Sequence, residues 1–180
     1  MHSDHHSHHE SKAATSHKDA SPQKIRVALF TVSSTRFRDK SLRDESGEIA
    51  KEYLEKKGHE FSYSVIDDSR PMIRLSLFKS LFEENFDVAI FLGGTGLSPR
   101  DVTFEAINPL FDKTLDGFGE IFRKLSYESI GSSAVMSRAI AGIIETKVVF
   151  CLPGSPDATD LGMDLILKEL GHAVFIARGA

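Results

Sequence analysis

Apolar residues fall in short runs along the chain, and the spacing within and between those runs predicts strands alternating with helices. Ile25 to Val32 (IRVALFTV) is a short apolar, β-branched run, the pattern of a buried first strand. A polar loop, Ser33 to Asp44, follows it. Ile49, Ala50, Tyr53 and Leu54 then share one face of a helix that stops near Gly58. Phe61, Tyr63 and Val65 alternate as in a second strand. Pro71 opens another helix, on which Leu77, Phe78, Leu81 and Phe82 form an apolar stripe. Asp87 to Leu92 (DVAIFL) predicts a third buried strand that runs directly into Gly93-Gly94-Thr95-Gly96. Two or three helices are expected between Asp101 and Gly142. A strand over Lys147 to Leu152 leads into Pro153-Gly154-Ser155-Pro156, and a last helix covers about Asp157 to Leu170. Strands alternating with helices imply an α/β fold with a mostly parallel sheet and helices on both faces. In such sheets ligands gather beyond the carboxyl ends of the strands, where the glycine-rich segments of this chain fall.

Residues 1 to 22 break the pattern. Six of the eight histidines (His2, His5, His6, His8, His9 and His17) lie there, with no leucine, isoleucine or valine to bury. Such a segment is expected to be a disordered tail preceding a single domain over 23 to 180. Its imidazoles offer adventitious binding of transition metals, or simply a solvated tail. The one cysteine, Cys151, excludes an internal disulfide and a multi-cysteine metal site, and its apolar neighbours predict a buried strand thiol. The formal charge is −4, and without the first 20 residues it is still slightly acidic. No basic surplus or stripe favours nucleic acid, so the balance points to a small-molecule partner. No apolar run approaches the roughly 20 residues that span a bilayer, and a cytoplasmic location is expected.

Four clusters can carry chemistry. Three glycines in four residues at the end of the third strand let backbone N–H groups approach a ligand and form a concave anion site; otherwise they are only a tight turn. The phosphate-loop and dinucleotide fingerprints are excluded by Leu97-Ser98-Pro99. Arg100-Asp101-Val102-Thr103 next sets a cation, a carboxylate and a hydroxyl together. Asp101 either caps the following helix or serves a Mg²⁺ site, which needs one or two carboxylates plus phosphate oxygens. Asp68, with Asp67 beside it, can face the same crevice if the second and third strands are neighbours. Asp116-Gly117-Phe118-Gly119-Glu120, followed by Arg123 and by Ser137-Arg138, suggests a turn with exposed backbone. Pro153-Gly154-Ser155-Pro156 sits where the last helix begins, so its dipole can favour an anion. No serine stands in a nucleophile elbow, which leaves triad hydrolysis unsupported.

Taken in order, GGTGLSPRDVTFEA (93 to 106), DGFGEIFRKLSYESIG (116 to 131), SRAIAG (137 to 142) and LPGSPDA (152 to 158) closely resemble the MoaB/Mog molybdopterin-binding family, from about Lys24 to the C-terminus. The resemblance implies a three-layer α/β sandwich and a homotrimer, sometimes a hexamer. It implies an adenylyltransferase of molybdenum cofactor biosynthesis. ATP and Mg²⁺ adenylylate the terminal phosphate of molybdopterin, pyrophosphate is released, and the product passes to a molybdate-insertion partner. The family's two functional aspartates align with Asp68 and Asp101, which would hold the metal. Where the family often has proline, this chain has Asp67, so Asp67 is the alternative to Asp68. Residues nominated for substrate binding are Gly93, Gly94, Thr95, Gly96, Arg100 and Thr103; Gly117, Gly119, Glu120, Ser137 and Arg138; and Pro153, Gly154 and Ser155. Some relatives lack the Arg-Asp pair and only bind the pterin. This chain keeps Arg100 and Asp101, which favours the enzyme over the alternative of a molybdopterin carrier without chemistry.

Overall fold

The computed structural model describes residues 22–179, and the expectation for the histidine-rich tail lies outside them. The elements are β1 (Arg26–Val32), α1 (Ser34–Arg38), α2 (Glu45–Lys56), β2 (Glu60–Ile66), α3 (Arg70–Phe78), β3 (Val88–Leu92), α4 (Thr103–Ile107), β4 (Lys113–Thr114), α5 (Asp116–Ile130), β5 (Ile140–Ile144), β6 (Lys147–Leu152) and α6 (Pro156–Ala177). Six strands form one sheet in the order β2-β1-β3-β6-β5-β4. The four strands from β2 to β6 are mutually parallel, while β5 runs antiparallel to both β6 and β4.

The period-two geometry of the strands divides their side chains between two cores. Val27, Leu29, Val88, Ile90, Val148 and Phe150 pack against α2, α5 and α6 on one face. Ala28, Phe30, Ala89, Phe91, Val149 and Cys151 pack on the other face, against Ile73 and Leu77 of α3 and Ala106 and Ile107 of α4. Helices therefore cover both faces of a mostly parallel sheet, as the run pattern predicts. Cys151 is buried in β6, and burial pushes its thiol well above the usual value, so it is not a nucleophile.

Several elements differ from the expectation. The segment after β1 is not wholly loop: Ser33 accepts a hydrogen bond from the Arg36 N–H and starts α1, a single short helix with no buried residue. The strands β4 and β5 were not anticipated. The expected apolar stripe splits, and a π-helical turn, Lys79–Glu83, follows α3. Leu77 and Leu81 stay inside, while Phe78 and Phe82 are each 41% exposed and stacked on one another. The last helix continues through Gly171 to Ala177, since Val174 extends the buried series Met163, Ile166 and Leu170. Gly117 and Gly119 lie in the first turns of α5 rather than in a loop.

Candidate functional site

Sheet order reverses between β1 and β3, and the chain ends of β1, β2, β3 and β6 open on one side of the sheet. There they surround a cleft of about 510 Å³, lined by residues from all four strand-end loops. The β3 loop is the most constrained of them. Gly93 has φ of +100° and Gly94 of +66°, a region that L side chains rarely adopt. A Cβ on Gly93 would lie 2.7 Å from the Val32 carbonyl oxygen, and one on Gly154 would lie 2.9 Å from Gly93 Cα. Two backbone segments thus touch at the floor of the cleft, which only glycine allows.

Thr103 fixes this loop from beneath. Its buried hydroxyl donates to the Gly93 carbonyl at 2.9 Å and its N–H to the Gly94 carbonyl at 2.8 Å. Arg138 fixes it from the side. Its guanidinium donates to the Thr95 carbonyl at 2.8 Å and the Gly96 carbonyl at 2.7 Å, and pairs with Glu105 at 2.6 Å. Thr103 and Arg138 hold the loop in shape, and Arg138 lines the cleft with all three of its side-chain nitrogens engaged. Arg138 in turn holds the Glu105 carboxyl below the usual carboxylate range. A carboxyl depressed on folding contributes stability above its ordinary pKa and loses it as pH falls through the lowered value. We expect Glu105→Gln to melt about 2–4 °C lower than the parent at neutral pH. That gap should close in strongly acidic buffer; scanning calorimetry across the acid range checks it, and a gap constant with pH would contradict the clamp.

The two aspartates reach the cleft from different loops. Asp68 follows β2, and its Oδ2 accepts the Ser34 N–H at 3.1 Å while its own N–H donates to Ser34 Oγ at 3.3 Å. The other oxygen, Oδ1, is buried with no hydrogen-bond partner. Asp67 does not line the cleft, and Asp68 does. Asp101 accepts the Ser98 N–H through Oδ2 at 3.0 Å. Its carboxylate occupies the space a Cβ on Gly96 would need, 2.7 Å from Oδ2. The expected helix-capping alternative is not realised: the N-cap of α4 is Val102, without a side-chain hydrogen bond.

The β6 loop completes the wall. Ser46 in α2 donates to the Gly154 carbonyl at 2.9 Å, and Ser155 caps α6 by accepting the Ala158 N–H at 3.3 Å. The N-terminus of this 22-residue helix opens at the cleft, beside Pro153 and Ser137. Other nominated residues stand elsewhere. Arg100 is exposed, its N–H bonded to Ser98 Oγ. Gly119 and Glu120 line a separate polar pocket of about 280 Å³, and Gly119 is buried where a Cβ would meet the Ala139 carbonyl oxygen at 2.8 Å. Gly117 faces open space. Sequence reading missed Ser33, Arg36 and Ser46. The signal for the first two was present, because Ser33 and Arg36 follow a strand end just as the glycine segments do.

Comparison with known proteins identifies the family. Residues 28–172 match the family model described as a probable molybdopterin binding domain. Molybdenum cofactor biosynthesis protein B of Bacillus cereus is 45% identical over 166 residues, 91% of this chain and 96% of that protein. A Methanocaldococcus jannaschii protein named probable molybdopterin adenylyltransferase is 41% identical over 152 residues, 82% of this chain and 91% of that one. The crystal structure of the tungsten cofactor synthesizing protein MoaB from Pyrococcus furiosus superposes with a TM-score of 0.81 at 39% identity, covering 87% of this chain and 99% of that chain. The chain belongs to the MoaB/Mog family of molybdenum cofactor biosynthesis proteins, which carry the molybdopterin-binding domain.

Proposed function

We propose that the protein is a molybdopterin adenylyltransferase. One observation carries the reading: Asp68 and Asp101, held on separate strand-end loops, line one cleft with a glycine loop and a helix N-terminus. Two anionic substrates meet in such a reaction. An oxygen of the pterin's terminal phosphate attacks the α-phosphorus of ATP, the bond from that phosphorus to the bridging oxygen breaks, and pyrophosphate leaves. The protein's task is to align the two groups and neutralise charge rather than to supply a covalent partner.

The residues fit Mg²⁺. The described residues contain no cluster of three or more ligating side chains, so an all-protein cage is absent. Mg²⁺ uses one or two carboxylates and takes its other ligands from phosphates and water. The unpartnered buried Oδ1 of Asp68 suits that arrangement, and Asp68 with Asp101 would hold the ion. When bound, it would supply charge neutralisation at the phosphate oxygens. Gly93 donates its N–H to the Leu152 carbonyl at 2.9 Å, so Gly94, Thr95 and Gly96 would be the loop residues that offer amides to the same space. Gly154, Ser155 and the start of α6 would seat the pterin or its phosphate. Pyrophosphate release that requires ATP and molybdopterin together supports this reading, and ATP consumption independent of the pterin would contradict it.

We also propose a homotrimer as the working form. The exposed Phe78–Phe82 pair supports an assembled surface. Sedimentation equilibrium should give three times the chain mass, and a monomer persisting at micromolar concentration would contradict it. Among the described residues no helix is long and apolar enough to cross a membrane.

A further inference from the structure

Two cationic side chains line the cleft, Arg36 and Arg138. All three side-chain nitrogens of Arg138 are engaged, with Thr95, Gly96 and Glu105. Arg36, on α1 immediately after β1, uses only Nε, which donates to the Arg43 carbonyl at 3.0 Å. Among the described residues no carboxylate forms an ion pair with it, and Nη1 and Nη2 have no hydrogen-bond partner. A half-buried guanidinium fixed at Nε and unspent at its outer edge is preset for two parallel bonds to a phosphate. The anchor also lowers the entropy lost when those bonds form.

From this we infer that Arg36 is a phosphate-binding residue of the cleft, receiving a phosphate oxyanion of a substrate. The inference rests on the adenylyltransferase reading for its substrates. Charge supports it: both substrates bring phosphates, and Arg36 is the lining cation that no carboxylate binds directly, Asp44 acting on it only as a Coulombic neighbour beyond ion-pair distance. Arg100, the cation nominated from sequence, is not among the lining residues.

The shared chemistry is phosphate, and its two sources are the polyphosphate of ATP and the terminal phosphate of molybdopterin. Calorimetric titration with Mg²⁺-ATP and, separately, with molybdopterin distinguishes them. Arg36→Ala should weaken one of the two by about ten- to a hundredfold, the scale of a lost charge-assisted contact, and leave the other within about threefold. Arg36→Lys should recover part of the loss through its charge, and Arg36→Gln should not. A merely structural role, through Arg43, predicts a lower melting temperature with both affinities unchanged. That result would overturn the inference, as would wild-type affinity for both ligands in a stable Arg36→Ala protein. Failure of the wild type to transfer an adenylyl group, with both ligands bound, would instead count against the function proposed above.

Discussion

Replacing Asp101 by asparagine is expected to lower adenylyl transfer about a hundredfold or more, the scale of losing an electrostatic stabiliser at a reacting centre. Affinity for molybdopterin should change far less. The substitution is nearly isosteric, and the asparagine oxygen can still accept the Ser98 N–H that Asp101 accepts now. No helix loses its cap, because Val102 rather than Asp101 occupies the N-cap of α4. Stability should therefore stay within about 1 kcal/mol of the parent. What disappears is the negative charge that a hard cation requires. Asp68→Asn should behave the same way, since its Oδ2 contact with Ser34 is preserved while the unpartnered Oδ1 loses its charge. Asp67→Asn should leave turnover unchanged, because that residue is outside the cleft. Steady-state rates and pterin titrations on the three proteins check these outcomes together. Full turnover in Asp101→Asn would contradict the assignment.

A second large effect is expected from Gly93→Ala. The residue has φ of +100°, and the new methyl would press on the Val32 carbonyl. Backbone strain of this kind costs about 1–3 kcal/mol, and the contact adds to it. A loss of about 2–4 kcal/mol would lower the melting temperature by roughly 5–15 °C. Binding should fall as well in whatever remains folded, because the Gly93 carbonyl is the acceptor for Thr103 and the loop amides turn with it. Gly117→Ala is the matched control. Its Cβ would meet nothing within 4 Å, and it lies in the first turn of α5. There the same change should be neutral or stabilising by up to about 1 kcal/mol, by restricting the unfolded chain. Thermal unfolding of the two variants decides whether backbone conformation, and not glycine content alone, shapes the loop.

The parallel half of the sheet is legible because each of β1, β3 and β6 is dominated by a short apolar run, and such a run bounded by turn residues has few other fates than a buried strand. The antiparallel edge is not. Lys113–Thr114 is two exposed polar residues, with no pattern to read. The hairpin between β5 and β6 turns at Glu145, which takes φ of +54° without the Asn-Gly or Asp-Gly that normally signals such a turn. The α1 helix buries nothing, so no stripe marks it. Among site residues, Asp68, Asp101 and the glycines announce themselves by type and by their place at strand ends. The roles of Arg138 and Thr103 depend on which carbonyls lie across from them, and spacing along the chain does not encode that. Gly119 and Glu120 share a short segment with Gly117, yet helix geometry turns them toward a pocket separate from the cleft.

The central claim is transfer of the adenylyl group itself, and label placement tests it most directly. ATP labelled in its α-phosphate, incubated with the protein, Mg²⁺ and molybdopterin, should yield label covalently attached to the pterin. ATP labelled in its γ-phosphate should yield labelled pyrophosphate and an unlabelled pterin. Bound but unmodified pterin, with all label remaining in ATP, would contradict the account.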